Sequence, residues 1–230
     1  MALILQIETA TQTCSVALAQ DSVLLDVLEK TERNIHAGVI TVFIKELMQK
    51  AGKQFSDLDA IAVSMGPGSY TGLRIGASTA KGLCYALDIP LIAVNTLEAM
   101  ASGFMSNCFS VNPQTVFCPM IDARRMEVYC AVYNHQHELV SETEAKIIDN
   151  QSFSDLLYQY IVYFFGDGAA KCEDILGKHL NARVIYDFEN SASHLTSLAF
   201  DKFKNKQFED VAYFEPFYLK DFIAGKKKEN

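Results

Sequence analysis

The stretch Met65–Gly76 reads Met-Gly-Pro-Gly-Ser-Tyr-Thr-Gly-Leu-Arg-Ile-Gly, and the rest of the chain is organised around it. The apolar run Ala60–Val63 leads into it as a buried strand would, and Leu73–Leu87 follows it with a helical pattern. Gly66 and Gly68 permit backbone angles that a Cβ would forbid, and the proline between them fixes one further angle. This order of residues predicts a tight turn that joins a strand to a helix.

The start of the following helix offers groups that bind anions. Ser69 or Thr71 can cap the helix by accepting its free amide hydrogens, and free amides at a helix start also bind phosphate. Two common phosphate loops do not fit. Gly72-Leu73-Arg74 stands where a Walker loop has Gly-Lys-Ser/Thr, and Thr71 stands where a dinucleotide fingerprint has its third glycine. The residues alone leave open both a capped turn without a ligand and an anion site.

Composition narrows the class of protein. With 230 residues, half of them hydrophobic, the chain can form one large domain or two lobes. The net charge of −8 argues against a freestanding nucleic-acid binder, and we expect the one basic run, Lys226–Lys228, to be a solvated tail. Six cysteines without a Cys-x-x-Cys pair predict reduced, buried thiols. With no membrane-length apolar run and no secretory signal, we expect a cytoplasmic protein without a membrane partner.

The first part of the chain predicts one α/β lobe. Its order is three strands, a helix, and then strands alternating with helices. The expected strands are Leu3–Ile7, Cys14–Ala19, Val23–Leu28, Ala60–Ser64 and Ile89–Val94. The expected helices are Asn34–Ala51, Leu73–Leu87 and Leu97–Met105.

The second part repeats that order after a polar linker candidate, Ser106–Gln114. The expected strands are Thr115–Ile121, Met126–Tyr133, Glu138–Glu144, Ile161–Phe165 and Val184–Tyr186. The expected helices are Ser152–Tyr160, one behind Gly166-Asp167-Gly168, and Ser193–Phe203. Two lobes of related topology, residues 1–107 and 108–230, predict an actin-like ATPase and sugar-kinase (ASKHA) fold. The last helix can pack back on the first lobe.

The chain resembles the bacterial TsaB proteins, earlier named YeaZ. Three motifs carry the resemblance: Gly66–Gly76, Ile7-Glu8-Thr9 before it, and Asp122-Ala-Arg-Arg125 after it. The similarity extends to Pro216–Lys220 and so spans nearly the whole chain. It implies the actin-like two-lobed fold and a role in forming threonylcarbamoyladenosine at position 37 of tRNA.

The resemblance also implies partners. TsaB proteins are non-catalytic partners of TsaD, with TsaE in a larger complex, and they pair with themselves through the same surface. We therefore expect a hetero- or homodimer, contact with tRNA only through the complex, and no required cofactor. Weak binding of ADP or ATP remains open.

Two helices are the expected partner surface. The first, Asn34–Ala51, has an apolar arc wider than one sheet face requires, and the second, Leu73–Leu87, has a stripe of small residues. The residues that we expect at the interface are Val39, Phe43, Leu47, Leu73, Arg74, Gly76 and Ala80. Packing within the chain is the alternative explanation for both patterns.

The residues also bear on catalysis. The resemblance aligns Thr96 and Met100 with the metal-binding histidine pair of TsaD, and neither side chain replaces a histidine on such a metal. We therefore expect no metal site. An ATPase or kinase of this fold needs carboxylates and glycines on its phosphate turns. The weak candidates for cofactor binding are Glu8, Asp122, Gly166 and Gly168, which turn and cap chemistry explains equally well.

A peptidase is a third alternative, and it has little support in the sequence. Ser69 has no histidine near it in the sequence that would serve as a base. We therefore expect no catalytic residues in this chain.

Overall fold

The computed structural model of the protein describes residues 1–108 and 112–220 and contains two five-stranded sheets. Part of the expected linker, residues 109–111, and the basic run Lys226–Lys228 lie outside the described residues. Each sheet has three antiparallel strands followed by two strands parallel to the first of them.

The two sheets have the same topology. The first sheet has the order β3-β2-β1-β4-β5 and the second, read from its own edge, β8-β7-β6-β9-β10. The strands of the first sheet are β1 (Leu3–Glu8), β2 (Thr13–Gln20), β3 (Val23–Thr31), β4 (Ala60–Gly66) and β5 (Leu91–Asn95). Those of the second are β6 (Thr115–Asp122), β7 (Glu127–Asn134), β8 (Leu139–Ile147), β9 (Ile161–Phe165) and β10 (Ala182–Val184).

The helices follow the predicted order. They are α1 (His36–Lys50), α2 (Tyr70–Leu87), α3 (Thr96–Ser106), α4 (Ser154–Gln159), α5 (Glu173–Leu176) and α6 (Thr196–Lys204). A short 3-10 turn, Ala192–Leu195, leads directly into α6. The repeated topology confirms the predicted actin-like architecture.

One strand prediction was wrong in position. Instead of Val184–Tyr186, the strand is Ala182–Val184, which pairs in parallel with Val162–Phe164 of β9. Tyr186 is 58 % exposed and lies outside the sheet. A three-residue strand has too little pattern to fix its register, so the pairing with β9 decides which residues belong to it.

Helix α1 buries one face against the first sheet. Ile40, Ile44, Leu47 and Met48 are in the main core of that lobe. Burying each such side chain contributes about 1.5–3 kcal/mol. Val42 lies on the opposite side and is 57 % exposed. The wide apolar arc therefore divides into a buried face and a solvent-exposed one.

The other face of the first sheet is covered by the last described helix. Leu195 and Ala199 pack with Ile4 of β1 and Ile92 of β5. Sheet and helix meet through small and branched apolar side chains, so the second half of the chain completes the core of the first lobe.

Helix α3 makes the reciprocal connection. It follows β5, but Met100 and Met105 pack with Phe117 of β6 and Phe165 of β9. The ring of Phe104 stacks on Phe165 with centroids 4.3 Å apart. Each lobe thus receives a helix from the other half of the sequence, which holds the two lobes together.

The six cysteines are free, and all but the half-buried Cys108 are buried. Burial raises the pKa of Cys14 and of Cys84 to about 12. These thiols therefore belong to the core, as the sequence predicted, and are poor nucleophiles.

Candidate functional site

The glycine turn, Gly66–Ser69, packs against the polar turn that follows β1. Gly66 has a φ of +112° and is joined to Pro67 by a cis peptide bond. A Cβ at Gly68 would come 2.6 Å from the Ala10 carbonyl oxygen, and the Ser69 amide donates a 2.7 Å hydrogen bond to that oxygen. The two turns therefore need glycines because their backbones touch.

Ser69 is the cap of α2. Its hydroxyl accepts a hydrogen bond from the Gly72 amide at 3.3 Å, whereas Thr71 is exposed within the first turn of the helix. This confirms the predicted cap and identifies which hydroxyl provides it. One of the amides at the helix start is satisfied by the chain itself.

Glu8, at the end of β1, is fully buried. One carboxylate oxygen accepts a hydrogen bond from the Ala10 amide at 2.5 Å, and the other accepts none from residues 1–108 or 112–220. Burial raises the pKa of Glu8 to about 7, an effect that the Ala10 amide and the Ser64 and Asn190 side chains partly offset. The carboxylate that a kinase of this fold would place in its cleft is therefore covered by protein.

The cover comes from the segment before α6. The Ser191 hydroxyl donates to the Glu29 carboxylate at 2.8 Å, and the Ser15 hydroxyl donates to the same oxygen at 3.1 Å. Ser15 in turn accepts the Ala192 amide at 2.9 Å. Sequence analysis missed this contact, because the partners are far apart in the chain and form no motif.

The equivalent turn of the second lobe lies at the end of β6. The Asp122 amide donates to the Asp167 carboxylate at 2.9 Å, and the Asp122 carboxylate pairs with Lys171. Burial raises the pKa of Asp167, and the Asp122 amide opposes that shift. Asp122 is about half exposed, but its carboxylate already pairs with Lys171. A metal ion would have to compete with that lysine for the carboxylate.

Gly166 and Gly168 support the same packing in the second lobe. A Cβ at Gly166, whose φ is +102°, would come 2.4 Å from the Met120 carbonyl oxygen. A Cβ at Gly168 would come 2.8 Å from the Ile121 carbonyl carbon. These glycines allow the turn to lie against β6, just as the glycine turn lies against the end of β1.

The C-terminal part of the described chain crosses the first lobe. Lys81 of α2 donates to the carbonyl oxygens of Ala212 and Phe214, at 3.1 and 3.0 Å. Farther on, the Phe217 amide donates to Met65 at 2.7 Å, immediately before the glycine turn. This segment therefore covers one side of the turn with the chain's own backbone.

The predicted interface needs correction at four positions. These four side chains or backbone sites lie inside the protomer: Leu47, Leu73, Gly76 and Ala80. Leu47 belongs to the core of α1, and Gly76 faces the Thr9 hydroxyl, which a Cβ would approach to 2.3 Å. The small-residue stripe allows α2 to pack closely on the sheet, so these residues do not form an outer surface.

The remaining three interface residues lie nearer the surface. Val39 and Phe43 are partly buried against the core, and Arg74 is exposed. The outer faces of α1 and α2 are made by other residues, which the sequence analysis did not select. Val42 and Tyr85, at 57 % and 86 % exposed, are the large apolar side chains among them.

Thr96 and Met100, where the sequence predicted no metal ligand, both have structural contacts. The Thr96 hydroxyl accepts the Gly66 amide at 3.1 Å, and the Met100 side chain lies where a Cβ at Gly166 would meet it, at 2.5 Å. His194, which stacks on Phe188, has its pKa lowered to about 4 by burial. No group of three or more His, Cys, Asp or Glu side chains within residues 1–108 and 112–220 is arranged to hold a metal.

None of the helices in the described ranges combines the length and the hydropathy that crossing a bilayer requires.

Comparison with known proteins identifies relatives over nearly the whole chain. The family model for TsaD, tRNA N6-adenosine threonylcarbamoyltransferase, matches residues 29–224. The tRNA threonylcarbamoyladenosine biosynthesis protein TsaB of Escherichia coli (strain K12) is 33 % identical, over 97 % of both chains.

Solved structures agree with this relationship. YeaZ from Pseudomonas aeruginosa superposes with a TM-score of 0.80 at 26 % identity, over 95 % of this chain and 100 % of that one. The activator of the 2-hydroxyisocaproyl-CoA dehydratase from Clostridium difficile, with bound ADPNP, has a TM-score of 0.51 at 12 % identity. The superposition covers 89 % of this chain and 97 % of the activator, and it shows a shared fold alone.

Proposed function

Because this chain belongs to the TsaB (YeaZ) family of tRNA threonylcarbamoyladenosine biosynthesis proteins, we propose that it is a non-catalytic partner of TsaD. In this proposal TsaD transfers the threonylcarbamoyl group to adenosine 37 of tRNA, and the present chain supports it by binding. The observation that carries the non-catalytic role is the burial of Glu8 beneath the chain's own segment around Asn190.

Three features of the polar turns after β1 and β6 and of α3 support a non-catalytic role. Glu8 has no exposed surface, and Asp122 is paired with Lys171. Thr96 and Met100 occupy the positions aligned with the metal-binding histidines, and both are fully buried. A substrate or metal ion that approached Glu8 or Asp122 would first have to displace the segment around Asn190 or the Lys171 ammonium.

The outer faces of α1 and α2 are the proposed partner surface. An added Cβ at Gly38 of α1 or Gly82 of α2 would meet no atom of the described chain within 4 Å, so another helix can approach closely at both places. Val42 and Tyr85 supply apolar area on the same two helices. We call the outer faces of α1 and α2, which carry Gly38, Val42, Gly82 and Tyr85, the helical face.

A related chain is a natural occupant of the helical face. The match to the TsaD family means that TsaD has a lobe of the same ancestry, so two such lobes can pair in a nearly two-fold arrangement. A second copy of this chain would use the same face. Homodimer and heterodimer would then exclude each other, which makes the choice of partner a competition.

The other components follow from the same proposal. TsaE would join the TsaD complex, and tRNA would contact this chain only within that complex, which fits a cytoplasmic protein. The chain would need no cofactor of its own, and ADP or ATP would bind weakly if at all.

Reconstitution tests the proposed function. TsaD, TsaE and the upstream enzyme TsaC are supplied with threonine, bicarbonate, ATP and unmodified tRNA, with and without this chain. We expect modified adenosine only when the chain is present, and none when the chain replaces TsaD. Equal modification without the chain, or modification by the chain without TsaD, would contradict the proposal.

A further inference from the structure

Two consecutive arginines form the tight turn between β6 and β7. Arg124 and Arg125 both have left-handed backbones, with φ values of +72° and +52°. The turn is closed by hydrogen bonds from the Ala123 amide to Glu127 at 3.1 Å and from the Glu127 amide to Arg124 at 3.2 Å. Asn and Gly adopt such angles at lower cost than arginine does, and residues held in strained conformations concentrate at functional sites.

Among the described residues, the two guanidinium groups form no ion pair, whereas the two nearby lysines do. Lys171 pairs with Asp122, and Lys220 pairs with Glu127. In the part of the chain that the structure describes, neither Arg124 nor Arg125 has a carboxylate within ion-pair distance, and both are exposed. Lysines thus pair with the Asp122 and Glu127 carboxylates, whereas neither arginine shares an ion pair with another described residue.

Two aromatic rings lie close to Lys220, one of them through its position in the chain. Tyr218, two residues before Lys220, packs on Tyr70 of α2 with centroids 4.9 Å apart. Arg74 lies over the Tyr70 ring, 5.4 Å from its centroid, and donates to the Tyr70 hydroxyl at 3.1 Å. Lys220 links this group to the start of β7 through Glu127. The Glu127 amide also closes the Arg124–Arg125 turn, so Tyr218, Lys220 and Glu127 link that turn to Tyr70 and Arg74. We refer to these linked residues as one surface.

We infer that this surface, centred on Arg124 and Arg125, contacts the phosphodiester backbone of tRNA when the chain is assembled with TsaD. A guanidinium presents a planar fork of donors that matches a phosphate, which a hydrated lysine ammonium does less well. Tyrosine hydroxyls and rings between basic side chains are frequent neighbours of such contacts.

The overall charge limits how the surface can act. A chain with a net charge of −8 repels a polyanion at long range, so two arginines do not make a freestanding RNA-binding protein. Within a complex that holds tRNA by other contacts, they would add local, salt-sensitive affinity and fix the position of the RNA. This inference rests on the proposed function, because it assigns the contact to the assembled complex.

The test compares two double variants with equal loss of charge. Arg124→Asn with Arg125→Gly removes both guanidinium groups and suits the left-handed turn. Lys178→Asn with Lys206→Gly removes two exposed cations elsewhere, one of them also at a left-handed position, with a φ of +54°. A third double variant, Arg124→Lys with Arg125→Lys, keeps the charge and removes the fork.

Assembly with TsaD is measured first, without RNA, by analytical size exclusion. The affinity of each assembled complex for unmodified tRNA is then measured across a salt series. We expect the Asn/Gly variant to assemble normally, to bind tRNA at least about threefold more weakly at low salt, and to show a salt slope smaller by roughly one to two. The distant control should match wild type, and the lysine variant should retain most of the salt slope.

Each other outcome has a defined meaning. If the Asn/Gly variant binds tRNA as tightly as wild type, or if the distant control weakens binding equally, the inference is wrong. If the Asn/Gly variant fails to assemble while wild type succeeds, the arginines contact protein rather than RNA, and the inference is again wrong. If wild type itself fails to assemble, the proposed function fails and the inference falls with it.

Discussion

Gly72 lies directly against Thr9, since a Cβ at position 72 would come 2.0 Å from the Thr9 carbonyl oxygen. One turn farther along α2, a Cβ at Gly76 would come 2.3 Å from the Thr9 hydroxyl. The backbone of α2 therefore rests on the turn that follows β1, and this contact sets where the glycine turn and the helical face lie.

The glycines of α2 give a matched pair of substitutions. Gly76→Ala places a methyl group against Thr9 and should lower the free energy of unfolding by about 1–3 kcal/mol through overpacking. Gly82→Ala adds a methyl group where no atom of the described residues lies within 4 Å, so better helix propensity should raise the free energy of unfolding by about 0.5–1 kcal/mol. Urea denaturation measures both, and similar values for the two variants would show that α2 does not pack this closely.

Glu8 should make stability fall as pH rises. Burial moves its pKa from 4.5 to about 7, so between these pH values the folded protein binds more protons than the unfolded chain does. The free energy of unfolding therefore loses a contribution of about 3 kcal/mol across this range. Glu8→Gln stays neutral, so the difference in unfolding free energy, variant minus wild type, should rise by about that amount.

Unfolding curves at closely spaced pH values measure the Glu8 effect. The slope with pH is the readout, because a constant offset only reports how well the Gln amide is accommodated. A difference that stays flat across the range would mean that Glu8 ionises freely, and hence that the segment around Asn190 does not seal it.

His194 should act in the opposite direction. Burial lowers its pKa from 6.5 to about 4, so between these values the unfolded chain binds the extra proton and stability rises with pH. His194→Phe keeps a ring against Phe188 but cannot take up a proton. The difference, variant minus wild type, should fall by about 3 kcal/mol from pH 4 to 6.5, and a constant difference would contradict the burial of this ring.

The helical face can be tested with two equivalent valines. Val42→Asp puts a charge on α1 at a site that is 57 % exposed, and Val140→Asp does so on β8 at a site that is 48 % exposed. Binding to TsaD and self-association should both weaken at least about tenfold for Val42→Asp, because a carboxylate at the centre of an apolar contact loses its water. Val140→Asp should leave both unchanged.

Isothermal titration with TsaD and sedimentation of the chain alone measure these two associations. Unchanged binding by Val42→Asp would place the partner surface elsewhere. Loss of only one of the two associations would contradict a single shared face. Val42 is a sharper choice than Phe43, whose side chain is partly buried against the core, where a charge would also disturb folding.

Much of the architecture was predictable because it depends on local patterns. Strand runs such as Ile161–Phe165, the period of α1 and the turn residues around Gly66 each specify their own element. The repeated order of elements then predicted two lobes of one topology. The register of β10 was not predictable, since only pairing with β9 decides it.

The partner surface was predictable only in part, because apolar periodicity does not tell an inner face from an outer one. Leu47 and Val42 are both apolar residues of the same helix, yet one is in the core and the other is exposed. Nothing in the sequence around Asn190 indicates that it covers Glu8. Such contacts join distant segments, so they depend on how the lobes pack.

The amino-acid sequence by itself determined the family, the order of the strands and helices, and the glycines at which two turns meet, because motifs and periodicity act over a few residues. Only the tertiary structure decided that Glu8 is buried and which sides of α1 and α2 face solvent. It also decided that α3 and α6 each pack on the sheet formed by the other half of the sequence. The physical reason is that burial belongs to the packed whole: a side chain's environment is set by segments that approach it from elsewhere in the chain.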